Sequence, residues 1–163
     1  MKSALAAVLA ATSINALAAI AVVDDAGRTV TLARPAQRVI SLAPHVTELL
    51  FAAGGGARVV GAVNYSDYPA AAKKLPLVGS YNRIDVERLL ALKPDLLVVW
   101  HSGNPTRQIE QLSRLGIPIY HSEPSRLAQV GDSLLRLGRL LGTEPAARQA
   151  AQEYTARIAA LRT

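Results

Sequence analysis

From Arg38 onward the chain alternates between two kinds of pattern. Four short apolar runs, Val39–Leu42, Val59–Val63, Leu96–Trp100 and Ile117–Tyr120, are separated by longer stretches whose apolar residues recur every three or four positions. Runs of that length bounded by Gly and Pro read as buried strands and the spaced stretches as helices, so their order predicts parallel βαβ units. The helices carry their own punctuation. Pro44 opens one whose stripe is Val46, Leu49 and Leu50, and Gly54-Gly55-Gly56 stops it. Asp85 is placed to cap Val86–Leu92, before Lys93-Pro94-Asp95 turns into the next strand. Asn104-Pro105 starts a helix through Leu115 that Gly116 ends. Leu127, Val130, Leu134, Leu137 and Leu141 make residues 125–141 an amphipathic helix closed by Gly142, and Thr143 caps a last helix running through Tyr154 and Ile158. Ahead of all this, Val22-Val23 and Thr29–Leu32 flank the turn sequence Asp24-Asp25-Ala26-Gly27, which predicts a small hairpin.

Composition narrows the class. With 163 residues, 50% hydrophobic and 18% charged, the chain suits one globular domain of roughly 100–150 residues and is not a disordered polymer. The absence of Cys excludes disulfides, thiolate metal sites, a cysteine nucleophile and a lipoprotein anchor. A net charge of +6 changes less than it suggests. Lys73-Lys74 is the only adjacent basic pair and no basic block is interleaved with aromatics, so no nucleic-acid partner is expected. Residues 1–18 combine Lys2, an apolar run from Ala4 to Ala11 and the small-residue end Ala16-Leu17-Ala18. That is the layout of a secretory signal peptide. Thr12, Ser13 and Asn15 interrupt it well short of the roughly 20 apolar residues of a membrane span, so a soluble, exported protein is expected.

Candidate chemistry gathers after the strands, because ligands of open parallel sheets bind beyond the strands' carboxyl ends. Of one Trp, five Tyr and one Phe, Tyr65, Tyr68, Tyr81 and Trp100 fall in or beside these loops. Aromatics there, with a core of Leu, Val and Ala, suggest a surface for a large, flat, partly apolar ligand. Catalysis is not expected: there is no G-x-S-x-G elbow, no suitably spaced acidic pair and no phosphate-binding glycine motif. A second reading is a metal or haem site. His45, His101 and His121 each fall near a strand's carboxyl end, and Glu48 follows His45 by one helical turn.

The segments Arg38–Leu49, Tyr65-Ser66-Asp67-Tyr68-Pro69, Val86–Leu96, Trp100-His101-Ser102-Gly103-Asn104 and Gln111–Ile117 together resemble the cobalamin-binding proteins of bacterial vitamin B12 ABC importers. These belong to the class III periplasmic binding proteins, which also carry iron-siderophores and haem. The resemblance implies a parallel-sheet, Rossmann-like α/β lobe over residues 38–141, preceded by a hairpin over 19–37 and followed, over 143–163, by the truncated start of a long interlobe helix. It implies a non-enzymatic periplasmic receptor that takes cobalamin or a related corrinoid as cargo, not as a cofactor, and delivers it to an inner-membrane permease. The alternative within the class is a metal-, haem- or iron-siderophore-binding protein. Tyr65, Tyr81 and Trp100 match the positions that contact the ligand, and Glu87 matches the glutamate that docks on the permease. No metal ligand is implied. A second lobe, with its half of the cleft, is expected to be missing.

Overall fold

A computed structural model describes residues 19–161. The expected signal segment, 1–18, lies outside the described residues. The chain begins with β1 (Ile20–Val23) and β2 (Thr29–Leu32), paired antiparallel around a turn at Gly27, where φ is +75°. Then follow β3 (Val39–Ser41), α1 (Pro44–Ala52), β4 (Val59–Ala62), the two-residue strands β5 (Gly79–Ser80) and β6 (Arg83–Ile84), and α2 (Val86–Ala91). The order closes with β7 (Leu96–Trp100), α3 (Thr106–Arg114), β8 (Ile119–Ser122), α4 (Leu127–Leu141) and α5 (Glu144–Ala160).

The main sheet has the order β4-β3-β7-β8, and every pairing in it is parallel. Strand alternation divides its side chains between two cores. Val39, Leu96, Val98 and Tyr120 face α1, α4 and the hairpin residues Val22, Val30 and Leu32. Ile40, Leu42, Leu97 and Val99 face Leu89 of α2 and Ile109 and Leu112 of α3. With apolar cores on both faces, the strands read as continuous hydrophobic runs, as buried parallel strands do.

Three local expectations change. The last strand begins two residues later than its apolar run, at Ile119, because Pro118 has no N–H and only its carbonyl joins the sheet, accepting from Leu97. α3 starts at Thr106, two residues after Asn104, whose amide is spent elsewhere, and Pro105 precedes the first turn without a side-chain cap. Thr143 does not cap α5 with its side chain either, since its hydroxyl donates 2.7 Å to the carbonyl of Ala53 and ties α5 to the end of α1. Asp85, in contrast, accepts the Arg88 N–H at 3.0 Å and caps α2.

The hairpin is fastened to the sheet through one buried carboxylate. Asp24, 3% exposed, accepts the N–H groups of Ala26 and Arg28 in its own turn, and on β8 both the backbone N–H and the Nδ1 of His121, each at 3.0 Å. Burial pushes the His121 pKa below its ordinary 6.5, even though the Asp24 hydrogen bond and charge pull it upward. The ring is therefore neutral near pH 7, and its tie to Asp24 is a hydrogen bond from Nδ1–H. Burial likewise lowers His45, with Glu123 and Glu48 opposing. A depressed imidazole pKa means that the unfolded chain takes up the proton first. The stability held this way is complete above about pH 6.5 and drains away as pH falls toward the folded-state values. The melting temperature is expected to drop between pH 7 and pH 5.5. His121→Asn, which keeps a donor toward Asp24 without a titrating ring, should flatten that slope. A wild-type melting temperature constant over the interval would refute the account.

Candidate ligand-binding face

All four strands of the main sheet end at the same edge, and the chain turns just beyond them place rings there. After β3, α1 begins at Pro44 and carries His45 in its first turn. β7 ends on Trp100, half-buried. The His45 and Trp100 rings meet edge to face with centroids 5.5 Å apart, and on its other flank Trp100 meets Tyr81, in the β5–β6 turn, at 5.7 Å. Of the expected ligand residues, Tyr81 and Trp100 are thus brought together. Tyr65 sits on the neighbouring β4 loop, 77% exposed, and makes no ring contact with that pair among the described residues. Glu87 lies outside the ring cluster, exposed in the first turn of α2, beside a groove of about 530 Å³ bounded by Asn64, Ser80 and Arg83.

Two polar braces hold these loops. Thr47, Ser41 and Ser66 are buried, with the Thr47 hydroxyl 2.8 Å from that of Ser41 and 2.9 Å from that of Ser66, while Ser41 donates to the Ala43 carbonyl. This chain of hydroxyls pins the residue next to Tyr65, whose own backbone is left-handed at φ +67°. The second brace is Asn104, 6% exposed. Its Oδ1 accepts the Trp100 N–H at 2.7 Å, and its Nδ2 donates to the carbonyls of Leu42 at 2.8 Å and Tyr81 at 2.7 Å.

Trp100 is also held at its ring. Beneath it lies Gly103, where any Cβ would overlap the indole. Glu123, following β8, accepts the Ser102 N–H at 2.9 Å and the Trp100 indole N–H. Burial works to raise the Glu123 pKa, but the hydrogen bonds from Ser102 and Trp100, with nearby His101, outweigh it and hold the carboxyl below its ordinary range.

The three histidines do not assemble as a ligand set. His45 turns to Trp100; His101 stacks edge-on against His121 at 5.4 Å; and the His121 ring is engaged on both sides, Nδ1 by Asp24 and Nε2 by Arg28 at 3.4 Å. Among the described residues, no group of three or more His, Asp or Glu side chains could hold a metal ion. Sequence reasoning missed His45 as a ring partner and missed the braces. Asn104 looked fully explained by the Pro105 that follows it, and Glu123 lies 21 residues from the Ser102 it contacts.

A parallel sheet clothed by helices on both faces, with a braced run of rings at its carboxyl edge, is an α/β lobe that offers a flat ligand a rigid aromatic surface. The chain belongs to the periplasmic binding protein family, whose model matches residues 39–163. It is 47% identical over 130 residues to a vitamin B12-binding protein of Yersinia pestis (strain Pestoides F), covering 80% of this chain and 46% of that protein. Among solved structures it superposes on the periplasmic vitamin B12 binding protein of Vibrio cholerae with a TM-score of 0.75 and 40% identity, over 78% of this chain and 50% of that one. A periplasmic heme binding protein from Pseudomonas aeruginosa matches at a TM-score of 0.69 and 32% identity, over 75% of this chain and 44% of its own. The chain therefore carries the α/β lobe of a class III periplasmic binding protein, and it spans about half the length of the curated relatives it matches.

Proposed function

We propose that this chain presents one face of a corrinoid receptor: it takes up cobalamin or a related corrinoid in the periplasm and passes it, chemically unchanged, to an inner-membrane ABC permease. The observation that carries this reading is the paired Tyr81 and Trp100 beyond the sheet's carboxyl edge, in a chain 47% identical to vitamin B12-binding proteins. A corrin is broad, flat and partly apolar, which suits ring faces held rigidly at a surface. In this reading Tyr65 closes over the ligand from the β4 loop. Glu87, exposed at the start of α2 where a carboxylate is favoured by the helix end, serves as the contact to cationic side chains of the permease. Residues 1–18 direct export, and residues 38–141 form the lobe, on which α5 packs against α4.

The chain holds a single Trp, and that Trp is in the site, so its fluorescence reports occupancy directly. Titration with cyanocobalamin is expected to quench Trp100 to saturation, in parallel with the heat measured by calorimetry, while hemin under the same conditions binds more weakly. Saturable hemin binding without any cyanocobalamin response would replace this reading with the haem-carrying alternative, and the absence of both would reject it.

A further inference from the structure

Asn104 is a buried amide that spends three hydrogen bonds on backbone groups of three separate chain segments. One is the N–H of Trp100, one the carbonyl of Tyr81, and one the carbonyl of Leu42, just ahead of the helix that carries His45. Tyr81 is otherwise held only at a distance, by the Gln108 side chain of α3, which bonds both backbone groups of Ile84 three residues on. The tyrosine is 40% exposed and sits in a turn between two-residue strands whose pairing is limited to Gly79 with Ile84 and Ser80 with Arg83. No other residue joins the Tyr81 turn to the end of β7 by a hydrogen bond among the described residues.

We propose that Asn104 is a positioning residue for ligand binding: by bridging Tyr81 and Trp100 through their backbones it sets the 5.7 Å spacing and 48° inclination of the two rings before a ligand arrives. The proposal rests on the corrinoid reading for its ligand, though not for the ring geometry. A loop side chain that must be ordered on binding costs affinity, and ordering it beforehand removes that cost. Asn is suited to the task because one side chain offers an acceptor for an N–H and two donors for two carbonyls in a single plane. Asp keeps the acceptor but turns its second oxygen against the Leu42 and Tyr81 carbonyls. Asn104→Asp therefore leaves Trp100 held and releases Tyr81.

The test is a double-mutant cycle on the full chain, using Asn104→Asp and Tyr81→Ala, read by cyanocobalamin affinity and by the near-ultraviolet circular dichroism of the ligand-free protein. N104D is expected to reduce the Tyr–Trp dichroic signal and weaken cyanocobalamin binding about tenfold, the effect of releasing a contact side chain. In the Y81A background the same change is expected to cost less than about twofold, because its target is gone. Equal losses in the two backgrounds, or an unaltered dichroic signal in N104D, would overturn the proposal, since a general structural defect does not depend on Tyr81. Asn104→Ser, which keeps a single hydroxyl, carries the same cycle if the aspartate variant does not fold. If the wild-type chain binds no cyanocobalamin, the corrinoid reading fails, and the dichroic arm alone decides whether Asn104 positions the rings.

Discussion

Replacing Trp100 with alanine is expected to weaken cyanocobalamin binding by about 30-fold or more. An indole packed in a preformed site is the kind of side chain that carries a disproportionate share of binding energy, commonly 2 kcal/mol or more, and 2 kcal/mol is about 30-fold. Trp100 meets those conditions. His45 and Tyr81 flank it, Gly103 lies under it, and Glu123 holds its N–H. It is half-buried at the rim of the sheet but packs against the core on the α1–α4 face, so truncation also lowers the melting temperature, and binding is compared at a temperature where both proteins are folded. Gly103→Val provides an independent route to the same end. The backbone of Gly103 is in an ordinary conformation, so valine strains nothing locally; its side chain meets the indole instead and drives the ring from its place. Calorimetric titration of both variants should give matching losses. A W100A affinity within threefold of wild type would remove Trp100 from the binding face.

The layout of the lobe was legible because each element satisfies a local rule. Leu96–Trp100 is a buried strand in the structure as in the pattern, since both of its faces meet apolar side chains. Asp85 caps α2 as an Asp ahead of a helix should. What escaped was every interaction whose partner lies far along the chain. Thr143 carries the signature of a cap, yet the carbonyl of Ala53, 90 residues earlier, takes its hydroxyl. Asn104 reads as a helix start because nothing local shows the Leu42 carbonyl 62 residues away. The rings themselves were visible as rare residues in loops. Their pairing was not, because it depends on which turns the sheet brings to one edge.

The two braces differ in what they hold, and that difference shapes the binding face. Ser41, Thr47 and Ser66 join residues of β3, α1 and the Tyr65 loop through hydroxyls buried at the sheet's end, so they form part of the lobe's own packing. Asn104 joins the Leu42 and Trp100 segments, both packed on the cores, to the Tyr81 turn, which neither core includes. The first brace serves packing, and the second is the one proposed to serve recognition. Tyr65, 77% exposed above a pinned backbone, is then the ring with most freedom to settle on a ligand after the fixed pair has met it.

The largest stability effect is expected at Gly138, in the last turn of α4. α5 is nearly uniform around its circumference and buries only Ala147 and Ala151, so its docking cannot rest on a wide apolar stripe. It rests on close approach. Gly138 faces Ala147 so tightly that a Cβ at residue 138 would overlap the alanine methyl. Gly138→Leu sets two opposing terms against each other. Leucine is the better helix former by about 0.8 kcal/mol. An inserted side chain in a closed helix–helix contact costs roughly 1–3 kcal/mol or more, and here a whole isobutyl group must be placed where no methyl fits. The second term wins. Because α5 buries so little, separation of the two helices is cheaper than distortion of α4, whose Leu134, Leu137, Leu140 and Leu141 are buried in the core beneath. Hydrogen exchange should show the amides of Glu144–Ala160 losing protection while those of β3, β7 and β8 keep theirs, with a melting temperature reduced by several degrees. Full retention of protection across α5 in the leucine variant would mean that the helix is held by something other than its approach to Gly138.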